Sequence, residues 1–162
     1  MKYELHDHEF PPLYQADSEI LILGSFPSIA SRAQKFFYGH PQNRFWKLLP
    51  AVYGDPVPSM IEEKTEFCHK HKLALYDSIE SCEIVGSSDA SIKNVVPADL
   101  ESIISKCKIR KIICNGKKSY DCFLKYQKNP RDIPVVCCPS TSAANAAFSL
   151  DALIQQWKTE LI

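Results

Sequence analysis

The sequence predicts an α/β fold, a three-layer α/β/α sandwich built around a mainly parallel four-stranded sheet. Short apolar runs alternate with helix-like segments along the chain, and each run ends at a small or polar residue. Apolar runs without polar alternation are typical of strands buried on both faces of a parallel sheet. A length of 162 residues fits one domain spanning residues 1–162.

The elements follow from these patterns in chain order. Strands are predicted at residues 19–24, 73–76, 111–114 and 134–138. Residues 1–17 carry Pro11-Pro12 and are predicted to be an irregular N-terminal arm, and residues 82–96 are predicted to be a polar loop. Helices are predicted at residues 42–53 (broken or bent near Pro50), 59–71, 97–107, 117–127 and 144–160.

Charge and hydropathy limit the function classes. The formal net charge is zero, so the chain has no global attraction for nucleic acid, and binding to it would need a local basic patch. No apolar run approaches the roughly 18 residues that cross a bilayer. The first eight residues lack the apolar core of a signal peptide, so we expect a cytoplasmic protein with no membrane partner.

No metal or other cofactor is predicted. The seven cysteines include no Cys-x-x-Cys pair, and reduced core thiols are the expected state. The pairs His6/His8 and His69/His71 have spacings seen in metal sites, but they fall on the arm and at a helix end. We therefore predict that these four histidines are surface residues.

Polar and aromatic side chains gather where the predicted strands end. Parallel strands finish at one edge of a sheet, and open α/β sheets bind ligands at that edge. An aromatic loop and Asn43 lie between the first strand and the next helix, which suggests a pocket for a flat polar ring. Four segments follow the strands in order: Ser25-Phe26-Pro27-Ser28, Asp77, Asn115-Gly116 and Pro139-Ser140-Thr141-Ser142.

These segments resemble the uracil-DNA glycosylase superfamily over most of residues 9–157. Gly24-Ser25-Phe26-Pro27-Ser28 and Pro139-Ser140-Thr141-Ser142 are similar to the loops that flank the extruded base in that superfamily. The hypoxanthine-DNA glycosylase branch is the most similar. Its shared motifs are Phe10-Pro11-Pro12, Pro41-x-Asn43-x-Phe45-Trp46, Tyr76-Asp77 and Asn115-Gly116-Lys117.

The resemblance implies a monofunctional DNA glycosylase. Such an enzyme hydrolyses the N-glycosidic bond of a deaminated base, hypoxanthine first and uracil possible, and leaves an abasic site. The implied partner is double-stranded DNA whose damaged base is flipped out of the duplex. We expect a monomer that uses no cofactor.

The catalytic residues implied by the resemblance are Asn43 and Asp77. Mismatch-specific members carry a water-positioning asparagine in the first loop, where this chain has Phe26, and the hypoxanthine branch implies that Asn43 takes over. Bond cleavage passes through an oxocarbenium-like sugar, so an oriented water and negative electrostatics matter more than a strong nucleophile. The loops after the first and last strands contain no lysine for a Schiff base.

The remaining site residues contact the base or the backbone of DNA in this interpretation. Phe26 or Tyr38 would stack on the base, and Asn115 would read its edge. The predicted base-binding residues are Ser25, Phe26, Tyr38 and Asn115. The predicted DNA-binding residues are Ser28, Arg44, Lys117, Ser140, Thr141 and Ser142, with Arg32, Lys35, Lys47 and Lys118 completing a basic rim.

Other interpretations stay open. Because Phe26 replaces the usual asparagine, the chain fits a non-catalytic binder of lesions or nucleotides on the same fold, and an RNA or nucleoside hydrolase is a third option. Structural roles compete with functional ones as well. Asn43 suits a helix start, Asn115 suits a turn, Asp77 suits a helix cap and Phe26 suits packing. Phe45 and Trp46 are predicted to be core residues.

Overall fold

A parallel sheet forms the centre of the computed structural model, which describes residues 2–162. In chain order, the strands are β1 (Glu4–Asp7), β2 (Ile20–Gly24), β3 (Leu73–Asp77), β4 (Ile79–Ile84), β5 (Lys93–Pro97), β6 (Lys111–Asn115) and β7 (Val135–Cys138). The helices are α1 (Ile29–Gln34), α2 (Phe45–Tyr53), α3 (Ile61–Lys70), α4 (Leu100–Ile104), α5 (Lys117–Tyr126) and α6 (Leu150–Leu161), with a 3₁₀ turn at Asp89–Ser91.

The central sheet confirms the predicted fold class. Its strand order is β3-β2-β6-β7, and every neighbouring pair is parallel. All residues of β2 and β3 are buried, as expected for apolar runs covered on both faces by helices. The carboxyl ends of the four strands therefore meet at one edge.

A second sheet was not predicted. Strands β1, β4 and β5 form an antiparallel sheet in the order β1-β4-β5. The irregular arm and the polar loop were therefore wrong predictions for parts of residues 1–17 and 82–96. Most residues of β1 and β5 are exposed, so pairing with β4 rather than an apolar pattern defines them.

The five predicted helices are present as α2 to α6, but some of their boundaries differ from the prediction. Phe45 and Trp46 are buried, as predicted, and α2 continues through Pro50 rather than breaking there. Helix α6 begins at Leu150, six residues later than predicted, because Ser149 caps it. Helix α1 was not predicted. None of the helices within residues 2–162 is both long and apolar enough to span a membrane.

Arg44, at the start of α2, fixes the long loop between β7 and α6. Its guanidinium group donates hydrogen bonds to the carbonyl oxygens of Ser142 at 2.9 Å and Asn145 at 3.1 Å. Further donors reach the carbonyl oxygens of Thr141 and Phe148. Most of the five N–H donors of this side chain are thereby used inside the protein. The structure gives Arg44 this bracing role, and its predicted contact with DNA stays a prediction.

We expect Arg44→Lys to lower the free energy of unfolding by about 1–3 kcal/mol, because one ammonium group cannot replace a planar fork of donors. The measurement is urea denaturation followed by circular dichroism. Lys47→Ala is the matched control, since Lys47 is an exposed residue of the same helix. Equal stability of Arg44→Lys and wild type would show that charge alone, and not the fork, holds the loop.

Candidate active site

A cavity of about 400 Å³ opens at the carboxyl edge of the parallel sheet. Its wall is formed by the ends of β2, β3 and β6, by residues 37–43 and by residues 140–144. All predicted catalytic and base-binding residues line this cavity, as do Ser28, Ser140, Thr141 and Ser142, whereas none of the predicted basic residues does: Arg32, Lys35, Arg44, Lys47, Lys117 and Lys118. A volume in this range is typical of small-molecule sites, and the lining mixes aromatic rings with a few polar groups.

A chain of hydrogen bonds through Thr141 joins the two asparagines of the cavity. The Thr141 hydroxyl donates to Asn43 Oδ1 at 2.8 Å and accepts from Asn115 Nδ2 at 3.0 Å. The Thr141 backbone N–H donates to Asn115 Oδ1 at 3.0 Å, and the Phe45 backbone N–H donates to Asn43 Oδ1 at 2.9 Å. Because a carboxamide oxygen accepts hydrogen bonds and its amino group only donates them, the two backbone N–H donors fix the orientation of both carboxamides.

This network leaves particular atoms free. Both acceptor positions of Asn43 Oδ1 are occupied, so its Nδ2 amino group is the part available to a ligand. Asn115 keeps one N–H and one lone pair beyond its bonds to Thr141. Thr141 itself is fully buried, which argues against its predicted contact with a DNA phosphate.

Asp77 lies at the end of β3 and requires a glycine opposite it. A Cβ atom at Gly24 would stand 2.3 Å from Asp77 Oδ1 and 3.5 Å from the Tyr38 hydroxyl. A side chain at position 24 would therefore displace the Asp77 carboxylate from this position. The alternative of a helix cap is wrong for Asp77, because β4 begins two residues later at Ile79. The carboxylate instead occupies the floor of the cavity.

His8 was missed by the sequence analysis. Its side chain is 0% exposed, and its Nε2 lies 2.7 Å from Asp77 Oδ2, so the prediction of a surface histidine is wrong. His69 and His71 are also partly buried rather than fully exposed. The pairing of β1 with β4 carries His8 inward, and no local sequence signal indicates that pairing.

Tyr38 has one covered ring face and a buried hydroxyl group. Its ring stacks on Phe45 with centroids 3.8 Å apart, so that face is covered. The hydroxyl is buried near Asn115 but makes no hydrogen bond of acceptable geometry within residues 2–162. Burial, followed by the nearby Asp77 carboxylate, raises the pKa of Tyr38 well above its usual value. It therefore remains a donor at neutral pH.

Phe26 takes part in packing as well as in the cavity wall. Its ring is 7% exposed and packs with a small cluster that includes Ile79 and Ile84. The Arg32 guanidinium lies 5.7 Å from the ring centroid and donates to backbone carbonyls of residues 27 and 86. Arg32 is thus held inside the protein, and the packing alternative for Phe26 is supported without excluding contact with a base.

Ser25 contacts a carboxylate that the sequence analysis treated only as part of a loop. The Ser25 hydroxyl donates to Asp89 Oδ1 at 2.8 Å, and both residues line the cavity. The surrounding protein desolvates Asp89 and raises its pKa, although the Ser25 hydrogen bond acts in the opposite direction. A second acidic group therefore stands at the cavity wall.

Of the remaining predicted DNA contacts, Ser28, Ser140 and Ser142 line the cavity and Lys117 does not. Ser28 accepts from the Ser31 backbone N–H and caps α1. The hydroxyl oxygens of Ser140 and Ser142 accept from backbone N–H groups of their own loop, which leaves both hydroxyl protons free to donate. Lys117 is exposed at the first turn of α5. The roles of these residues in contacting DNA stay predictions.

Comparison with known proteins assigns this chain to a family. A sequence profile described as the Uracil DNA glycosylase superfamily matches residues 11–161. A hypoxanthine DNA glycosylase of Methanosarcina acetivorans is 32% identical over 144 residues, which cover 86% of this chain and 89% of the relative. A hypoxanthine DNA glycosylase of Methanosarcina barkeri is 32% identical over 112 residues, covering 68% and 71%.

A solved structure has the same fold. The solution NMR structure of a protein from Methanosarcina acetivorans, described as a candidate uracil DNA glycosylase, superposes with a TM-score of 0.79. The sequences are 29% identical, and the match covers 94% of each chain. Profile, sequence and structure agree with the resemblance found in the motifs. This chain belongs to the uracil DNA glycosylase superfamily.

Proposed function

We propose that this protein is a monofunctional DNA glycosylase that excises deaminated bases, with hypoxanthine as its main base and uracil as a second one. Two relatives that carry the name hypoxanthine DNA glycosylase support the reaction class. The observation that carries the proposal is the hydrogen-bonded chain of Asn43, Thr141 and Asn115. It holds two carboxamides in fixed orientations in one cavity, where they face a flat polar ligand.

Asn115 is the group that reads the base. Deamination replaces an exocyclic amino group by a carbonyl next to a ring N–H, and both hypoxanthine and uracil carry this arrangement. The free N–H of Asn115 Nδ2 matches the carbonyl, and the free lone pair of Oδ1 matches the ring N–H. A base with an amino group at that position would set donor against donor, so we expect this edge to select against adenine and cytosine.

Asn43 and Asp77 act on the sugar side of the reaction. The Asn43 amino group donates to the oxygen of the attacking water, and a second lone pair of that water points at the anomeric carbon. As the bond between the anomeric carbon and the base nitrogen breaks, its electron pair leaves with the base, and the proton that the water gives up neutralises the released base. The Asp77 carboxylate supplies negative electrostatics for the oxocarbenium-like sugar. Because the cavity floor is largely shielded from solvent, such interactions are stronger there than in water.

The proposed DNA substrate is double-stranded, and the damaged nucleotide is rotated out of the duplex before cleavage. The free hydroxyl protons of Ser140 and Ser142 donate to the flanking phosphates, Ser28 completes this polar surface, and the exposed Lys117 adds a positive charge. We further propose that the protein works as a monomer with one domain over residues 1–162, in the cytoplasm.

We expect the protein to release hypoxanthine from a duplex with a single deoxyinosine, and to release uracil more slowly. The measurement is cleavage of the resulting abasic site by alkali, with matched duplexes containing deoxyinosine, deoxyuridine or only normal bases. The reaction is run with and without EDTA, and we expect equal rates because no step requires a metal.

Three results would contradict this proposal. Tight binding to the deoxyinosine duplex without any abasic product would identify a non-catalytic lesion binder. Preferential hydrolysis of free inosine or of RNA would identify a nucleoside or RNA hydrolase. Loss of activity in EDTA, with recovery on addition of one metal, would refute the proposed hydrolytic mechanism.

The substitution Asn43→Asp separates the structural oxygen of Asn43 from its amino group. The aspartate side chain keeps the acceptor for Phe45 and Thr141 but loses the Nδ2 donor. We therefore expect Asn43→Asp to melt near the wild-type temperature and to excise roughly 10²-fold more slowly, in the range of a lost transition-state donor. Single-turnover excision and thermal melting are the measurements.

Asn43→Ala removes both parts and provides the comparison. It should lose at least as much activity and also melt earlier, because the start of α2 loses its acceptor. If Asn43→Asp retains nearly full activity while Asn43→Ala melts much earlier, Asn43 is a brace for the helix start. The proposed catalytic role would then be wrong.

Thr141→Val tests the link between the two carboxamides. Valine has nearly the same shape but no hydroxyl, so Asn115 Nδ2 and Asn43 Oδ1 each lose a partner. We expect excision to slow by roughly ten- to a hundredfold, since a buried polar group left unpaired costs about 1–3 kcal/mol. Thr141→Ser keeps the hydroxyl and should retain most activity. Equal loss in both variants would assign the effect to packing.

A further inference from the structure

Strand β1 carries a histidine from the N-terminal arm into the interior. The register pairs His6 with Cys82 and Asp7 with Ser81, and the His8 backbone N–H then donates to the Glu80 carbonyl at 2.7 Å. These backbone bonds fix where His8 enters the protein. The superfamily profile begins at residue 11, so His8 lies outside the matched part of the chain.

The His8 side chain is enclosed by aromatic rings and contacts one polar group. Its ring centroid lies 4.5 Å from that of Phe10 and 4.3 Å from that of Tyr76. Its side chain is 0% exposed, and the Asp77 side chain is 7% exposed. Nδ1 has no partner within residues 2–162, whereas Nε2 is 2.7 Å from Asp77 Oδ2. Asp77 is therefore the polar partner that this buried imidazole has.

We propose that His8 is a positioning residue for Asp77, an inference that rests on the proposed function of this cavity. A carboxylate only accepts hydrogen bonds, so the His8 Nε2–H donates to Oδ2. This bond holds the carboxyl group with Oδ1 against Gly24, near the Tyr38 hydroxyl. The N-terminal arm thus becomes part of the active site although it does not line the cavity.

The Asp77 carboxyl group needs a partner that fixes its orientation. Rotation about the Cβ–Cγ bond of Asp77 would move Oδ1 away from the cavity, and the bond to His8 opposes that rotation. A carboxylate displaced by about 1 Å from the reacting sugar loses much of its effect on the transition state. His8 acts on the rate through Asp77 and makes no contact with substrate.

A double-mutant cycle tests this coupling. His8→Phe removes the donor and keeps an aromatic ring, and His8→Gln keeps a donor close to the position of Nε2. The cycle adds Asp77→Asn and the His8→Phe/Asp77→Asn double variant. His6→Phe is the matched control, because His6 lies on β1, two residues before His8, and contacts Glu4 rather than Asp77. Each protein is compared by single-turnover excision of hypoxanthine, by binding to the deoxyinosine duplex and by thermal melting.

We expect His8→Phe to slow excision roughly ten- to a hundredfold with binding within about twofold of wild type, and His8→Gln to recover most of the rate. The double variant should be no slower than Asp77→Asn, because His8 has nothing left to position. Multiplied losses in the double variant, or equal losses in His8→Phe and His8→Gln, would overturn the proposal. So would a loss in His6→Phe as large as that in His8→Phe.

An NMR measurement tests the hydrogen bond between His8 and Asp77 independently of the proposed function. In proton NMR, the buried Nε2–H of His8 should give a slowly exchanging downfield signal that shifts in Asp77→Asn and is lost in His8→Phe. Absence of that signal in wild type would refute the pair. Should wild type release no base while this signal is present and responds to Asp77→Asn, the proposed function fails and the His8–Asp77 pair stands.

Discussion

The hydrogen bonds of Thr141 are the constraint on which the site depends. Thr141 comes from the last loop, Asn43 from the start of α2 and Asn115 from the end of β6, so three distant parts of the chain meet at one buried residue. Arg44 stabilises the same loop from the adjacent position through its bonds to carbonyl oxygens. The loop position and the carboxamide orientations are therefore set together, before any base enters.

The proposed selectivity of the cavity depends on polar groups whose positions are fixed before a base enters. The Tyr38 hydroxyl is buried without a partner within residues 2–162, and Asn115 has one free donor and one free acceptor. Unpaired buried polar groups are costly, and a ligand with the complementary edge removes that cost. In the proposed function, a ligand with the opposite edge leaves these groups unpaired, so the atoms that attract hypoxanthine or uracil oppose adenine and cytosine.

Much of this site follows from the sequence, because parallel strands end at a common edge. Asn43, Asp77 and Asn115 were predicted to meet, and all three line one cavity. The roles of His8 and Thr141 depend on tertiary pairing instead. Residues 4–7 show no apolar alternation, and β1 forms because β4 offers it a partner. Burial of a polar residue such as Thr141 leaves no mark in local composition.

The positions of Arg32 and Arg44 affect how a protein with zero net charge could bind DNA. The sequence predicted Arg32 and Arg44 in a basic rim, but both guanidinium groups are bound to carbonyl oxygens of the protein's own loops. Neutralisation of phosphates supplies the part of DNA affinity that does not depend on sequence. In this protein the guanidinium groups of Arg32 and Arg44 bind its own loops. Selectivity then depends on the cavity, since an extruded base gains hydrogen bonds that phosphate contacts do not supply. In the proposed function the arginines support selectivity indirectly, because the loops they fix carry residues proposed to receive the base.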